Sequence, residues 1–163
     1  MKKRHYTTAI IMLMFVLLFC SKNVYAEDTT WQKDYEYTKD DTNHEIVLRK
    51  YIGSEKNLTV AAKAVIDGVE YTTYMEGFPD YESDEDMGPT LWKGVERITF
   101  NDGVKSKNDL SGLFHFSRAL KRLDLRGLDT SNVTHMRYMF SGCSNLTNLN
   151  VSNFDTSNVT NMN

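Results

Sequence analysis

Asp129-Thr130-Ser131-Asn132-Val133-Thr134 returns as Asp155-Thr156-Ser157-Asn158-Val159-Thr160, 26 residues further along the chain. Residues 123–137 laid over 149–163 are identical at eight of fifteen positions, Leu123/Leu149 and Met136/Met162 among them. A fixed period of this size is the mark of stacked supersecondary units, none of which buries its apolar face alone.

Outward from that hexapeptide, each unit shows an extended half. Leu120-x-x-Leu123-x-Leu125 and Leu146-x-x-Leu149-x-Val151 have the strand pattern of a leucine-rich repeat. Side chains two apart in a strand share a side, so Leu123 and Leu125 are core while Asp124 and Arg126 face away from it. Val133, Met136 and Phe140 then fall at i, i+3 and i+7, which predicts one face of a short helix, capped by Ser131 or Asn132 and stopped by Gly142. Ile98-Thr99-Phe100 lies 25 residues before Leu123-Asp124-Leu125, and Leu110, Leu113 and Phe114 lie 26 before Met136, Met139 and Phe140. A divergent first unit therefore occupies 98–122. The expected fold class is α+β/repeat: a β-rich amino-terminal cap region over 27–97, then a short leucine-rich-repeat-like solenoid over 98–163. Its units of about 25–26 residues read as short parallel strand, turn and short helix, and the last is expected to be incomplete at the carboxy terminus.

The run from Leu123-Asp124-Leu125 through Leu128-Asp129-Thr130-Ser131-Asn132-Val133-Thr134-His135-Met136 to Phe140-Ser141-Gly142-Cys143 and Leu146 resembles the repeats of BspA-like leucine-rich repeat surface proteins of bacteria. The resemblance covers 98–163, and Trp31 to Val95 is similar, less specifically, to the β-rich region that precedes such repeats. It implies a secreted or wall-displayed solenoid used in adhesion to host proteins or other cells.

At the amino terminus, Lys2, Lys3 and Arg4 precede an apolar run from Ala9 to Cys20, and Val24-Tyr25-Ala26 supplies small residues for a signal peptidase. Residues 1–26 are expected to be a signal peptide cleaved after Ala26. The rivals are an uncleaved anchor, for which twelve apolar residues are short, and lipid attachment at Cys20, where bulky Phe19 precedes the cysteine. From Glu27 onward the chain has 15 Lys and Arg against 22 Asp and Glu, net −7. That balance argues against nucleic-acid partners and against any membrane contact beyond the signal peptide. Cys143 is the one cysteine after residue 26, so no intramolecular disulfide is expected, and its place between Gly142 and Leu146 makes it a small buried apolar residue.

Alternations Tyr35-x-Tyr37, Ile46-x-Leu48, Leu58-x-Val60 and Tyr71-x-Thr73 predict several short strands, with Asp67-Gly68 as a two-residue hairpin turn. Asp80-Tyr81-Glu82-Ser83-Asp84-Glu85-Asp86, bracketed by Pro79 and Pro89, reads as an acidic loop lacking the central Gly and closing Glu of a calcium loop. His44, His115 and His135 have no metal or catalytic spacing and read as surface or turn residues, and Asp129 and Asp155 read as turn residues accepting backbone N–H groups. No catalytic residue, metal site or cofactor is expected.

Two functions remain. The first is a non-enzymatic adhesion or protein-binding module for an extracellular host or bacterial protein, with Asp124, Arg126, Asn150 and Ser152 as the candidate ligand-binding surface. The second is an extracellular enzyme or solute-binding protein with its site in 27–97 and the repeats as support. Leu149, Val151, Phe154, Val159 and Met162 have no following unit to cover them, which predicts self-association through that end.

Overall fold

The computed structural model describes residues 31–78 and 91–162. Residues 1–26 and the acidic stretch 80–86, on which the export signal and the loop were read, lie outside the described residues. The chain runs through a four-residue helix α1 (Trp31–Asp34), then strands β1 (Tyr35–Asp40), β2 (Glu45–Tyr51), β3 (Asn57–Val60), β4 (Lys63–Ile66), β5 (Val69–Met75), β6 (Arg97–Phe100), β7 (Val104–Ser106), β8 (Arg122–Asp124), β9 (Leu128–Asp129) and β10 (Asn148–Asn150).

The repeats stack as coils of a β-solenoid. On one side, β3, β6, β8 and β10 form a parallel sheet whose rungs are Leu58, Ile98, Leu123 and Leu149. The ladder thus includes a rung before Ile98, contributed by Asn57–Val60. On a second side, the end of β5 pairs in parallel with β7 and β7 with β9, through Tyr74, Lys105 and Asp129. A third side is marked by parallel bridges from Asp109 to His135 and from His135 to Asn161. The amino-terminal strands extend the second side: β1 pairs antiparallel with β2, β2 parallel with β5, and β4 antiparallel with β5. Asp67 and Gly68, both at positive φ (52° and 80°), make the turn between β4 and β5 as their sequence predicts.

The short helices expected after each strand are absent. Residues 133–136 run without helix, His135 forming the bridges of the third side, and 137–142 are turn. The amide N–H groups of Leu110, Gly112, Phe114 and Phe116 donate to the carbonyls of His135, Arg137, Met139 and Ser141 in the next coil, at 2.8–2.9 Å. Backbone groups satisfied between coils are not available for the i to i−4 bonds of a helix. Val133 and Met136 are buried and Phe140 half-buried against the core, as their spacing suggested, but the spacing arises from a chain bending around the core. Tyr138 confirms the difference with φ 52°, outside any right-handed helix.

The core runs down the inside of the coils. Leu123, Leu125 and Leu128 are at most 2% exposed, with Leu110, Leu113 and Leu120 fully buried. Trp92, Phe114 and Phe140 form an aromatic column, successive rings near parallel with centroids 5.9 and 5.8 Å apart. The buried indole N–H of Trp92 donates to the carbonyl of Leu113 at 3.1 Å. Positive-φ positions also repeat every 26 residues: Gly112 matches Tyr138, and Phe116 matches Gly142. Gly142 is required twice over, since its φ is 71° and a Cβ there would overlap the Phe116 ring stacked above it.

Candidate interaction surface

Strand alternation decides which side chains the parallel sheet displays. In β6 the buried residues are Ile98 and Phe100, so Arg97 and Thr99 point outward; in β8 buried Leu123 leaves Arg122 and Asp124 outward. Because the strands pair in register, outward residues line up across the coils. Asn57, Arg97, Arg122 and Asn148 make one row, all exposed, and Thr59, Thr99, Asp124 and Asn150 make the next.

Of the four residues singled out in the sequence, Asp124 and Asn150 are register neighbours, and Arg126 and Ser152 follow each of them by two. The structure therefore gathers all four at one end of this face. Arg126 is exposed and grips Asp124 at two points, Nε to Oδ1 at 2.9 Å and Nη2 to Oδ2 at 2.6 Å. That guanidinium holds the Asp124 carboxyl below its ordinary range. Asn150 Oδ1 accepts the Ser152 N–H at 3.1 Å, as Asp129 Oδ1 accepts that of Ser131 at 3.0 Å and Asp155 Oδ1 that of Ser157 at 2.9 Å. These side chains shape the turns as well as decorate the surface. Arg97, Arg122, Asn57 and Asn148 were missed in the sequence. Each stands one step before an inward rung residue, Leu58, Ile98, Leu123 or Leu149, so the same period of two gives its outward direction, while its alignment with the others needs the strand register.

The remaining polar columns are internally paired. Lys105 Nζ contacts Asp129 Oδ2 at 2.6 Å on the second side, and this bond, with the Ser131 hydroxyl, pulls the Asp129 carboxyl down to about 2. Glu96 sits between Lys56 and Lys121 at 3.1 and 2.7 Å. The three histidines among the described residues stay apart. His44 packs against Tyr71, His135 Nδ1 lies 2.8 Å from Thr134 Oγ1, and His115, read as a surface or turn residue, is a turn residue only 1% exposed. Its place in the tight turn beyond Phe114 put it inside. The Cys143 thiol is half-buried, donates to the Phe114 carbonyl at 3.0 Å, and is pushed up by burial. Among the described residues no three His, Cys, Asp or Glu side chains converge as metal ligands. At the end of the stack an apolar concavity of about 620 Å³ opens between Met136, Tyr138, Phe140, Leu149, Val151 and Met162.

With this geometry in view, comparison with known proteins places the fold. A crystal structure of a leucine rich cell surface protein from Faecalibacterium prausnitzii A2-165, solved at 1.80 Å, aligns with TM-score 0.50 and 19% identity, over 79% of this chain. The two share a repeat solenoid fold. This chain spans 31% of the length of that one, and the likeness extends to fold alone. A family model described as a Mycoplasma protein of unknown function, DUF285, matches residues 108–163, the stretch that contains the hexapeptide repeat. No curated protein matches the chain.

Proposed function

We propose that this chain is a non-enzymatic adhesion module of a cell-surface or secreted protein, exported through residues 1–26 with cleavage after Ala26. Its ligand is a molecule on a host or neighbouring cell, engaged by the outward face of the β3-β6-β8-β10 sheet. One observation carries the reading: four strands in strict register present their polar side chains to solvent, and Asn57, Thr59, Arg97, Arg122 and Asn148 are all exposed. A repeat that grows by stacking enlarges such a face without altering it, which is how solenoids make broad binding surfaces. That a leucine rich cell surface protein has the same solenoid fold supports a surface location for this chain.

The test is adhesion of beads coated with the protein to epithelial and bacterial cells. Thr99→Trp places an indole in the middle of the face and should abolish adhesion, while Thr38→Trp, on exposed β1, should leave it unchanged. Equal adhesion by the two variants would remove the sheet face as the binding surface.

A further inference from the structure

Six arginines are described, and four have a partner. Arg49 pairs with Glu76 and Arg126 with Asp124, while Arg118 and Arg137 lie over the rings of Phe116 and Tyr138. Among the described residues Arg97 and Arg122 face neither a carboxylate nor a ring. They are nonetheless register partners on adjacent parallel strands, both exposed, at a strand separation of about 4.8 Å. Like charges directly opposite one another oppose sheet pairing. Two guanidiniums held side by side, each with a planar fork of donors unused, form a receptor for anionic oxygens.

The surroundings add to the charge. Lys56 and Lys121 immediately precede the row and share the single carboxylate of Glu96, while Asp124 is already matched by Arg126. Lys56, Lys121, Arg97 and Arg122 thus share the one carboxylate of Glu96 here, on a chain whose net charge from Glu27 onward is −7. The positive charge is local to this corner of the solenoid.

The rest of the row says what kind of anion fits. Asn57 and Asn148 place amides at its two ends, Thr59 and Thr99 hydroxyls alongside, and the row crosses four strands, about 14 Å in all. Among the described residues the large exposed aromatic side chains Phe78, Phe116 and Tyr138 lie outside the strands of this sheet, whose one large exposed apolar residue is Leu149 at its last strand, so the row lacks the aromatic anchors of a protein–protein interface. Amides and hydroxyls for sugar hydroxyls, with guanidiniums for carboxylate or sulfate, match an extended acidic polysaccharide. We propose that Asn57, Arg97, Arg122 and Asn148 bind such a chain, each guanidinium taking one anionic group; this rests on the sheet face being the ligand surface.

Biolayer interferometry with purified protein tests it, the probes being dextran sulfate, polygalacturonate, neutral dextran and poly-glutamate. Dextran sulfate and polygalacturonate should bind, with affinity falling between about 50 and about 200 mM salt as counterions compete. Arg97→Ala and Arg122→Ala should each weaken binding about tenfold, the worth of one charged hydrogen-bonding group, and Arg97→Lys or Arg122→Lys by less. The circular dichroism spectrum should be unchanged in all four variants. Undiminished binding by the double alanine variant, or equal binding to neutral dextran, would overturn the proposal. Binding to poly-glutamate alone would also overturn it, making the partner an acidic protein segment. The adhesion assay separates the two levels. Adhesion lost in Thr99→Trp but kept in the double alanine variant leaves the display face standing and removes its anionic ligand; adhesion kept in both removes both.

Discussion

Leu125 and Arg126 are adjacent in the chain and opposite in environment, the first fully buried and the second exposed and tied to Asp124. Leu125→Ala leaves a cavity between coils and should cost about 2–5 kcal/mol in a denaturant melt, whereas Arg126→Ala should change it by no more than about 0.5 kcal/mol. Comparable losses would mean that the strand faces are misassigned. Asp129 gives a pH signature. Its folded pKa, about 2, lies below the ordinary carboxylate value of about 3.9, so its contribution is full above the ordinary value and fades as pH falls toward 2. Wild type should therefore exceed Asp129→Asn in stability at pH 7, with the gap closing below about pH 4. A gap that persists at low pH would assign the effect to the turn amide rather than to the Lys105 pair. These residue-level features were legible because period-two alternation and Asx turns are local. Arg97 and Arg122 were not, because a like-charge pair appears only when two strands 25 residues apart are laid in register.

At the level of the element, the strand half of the repeat was readable and the half after it was not. Val133, Met136 and Phe140 carry a helical spacing, yet the choice between a helix and successive turns is made by the neighbouring coil, whose amides bond across. Local pattern contains no information about that partner. Cα chemical shifts of 133–141 should accordingly be non-helical, and the amides of Leu110, Gly112, Phe114 and Phe116 should exchange slowly. Helical shifts with rapid exchange would restore the helix. The Gly142 position tests the stacking itself. Gly142→Ala should destabilise, by about 1–2 kcal/mol from its positive φ alone, with a further loss from the overlap with Phe116. Adding Phe116→Ala should recover that further part, so the two effects should not be additive. Simple additivity would mean that the coils do not meet there.

Across the whole molecule, burial declines along the stacking axis. Leu123 is 1% exposed and its counterpart Leu149 41%; Met136 is 6% exposed and Met162 64%. Hydrogen exchange should be slowest through 97–130 and fastest through 148–162, and protection of 148–162 equal to that of 97–130 would show another source of burial at that end. The sequence revealed stacking and its period, but it placed the first rung at Ile98, since Leu58-x-Val60 shares too little with Leu123-x-Leu125 to be seen as part of the same ladder. The functional account turns on one face of this stack. Its most direct test is an amide shift map of isotopically labelled protein titrated with dextran sulfate. Changes are expected at residues 57–59, 97–99, 122–126 and 148–152, with silence at 104–106 and 128–131. Changes centred instead on 104–106 and 128–131, or on the strands between 35 and 51, would contradict the account.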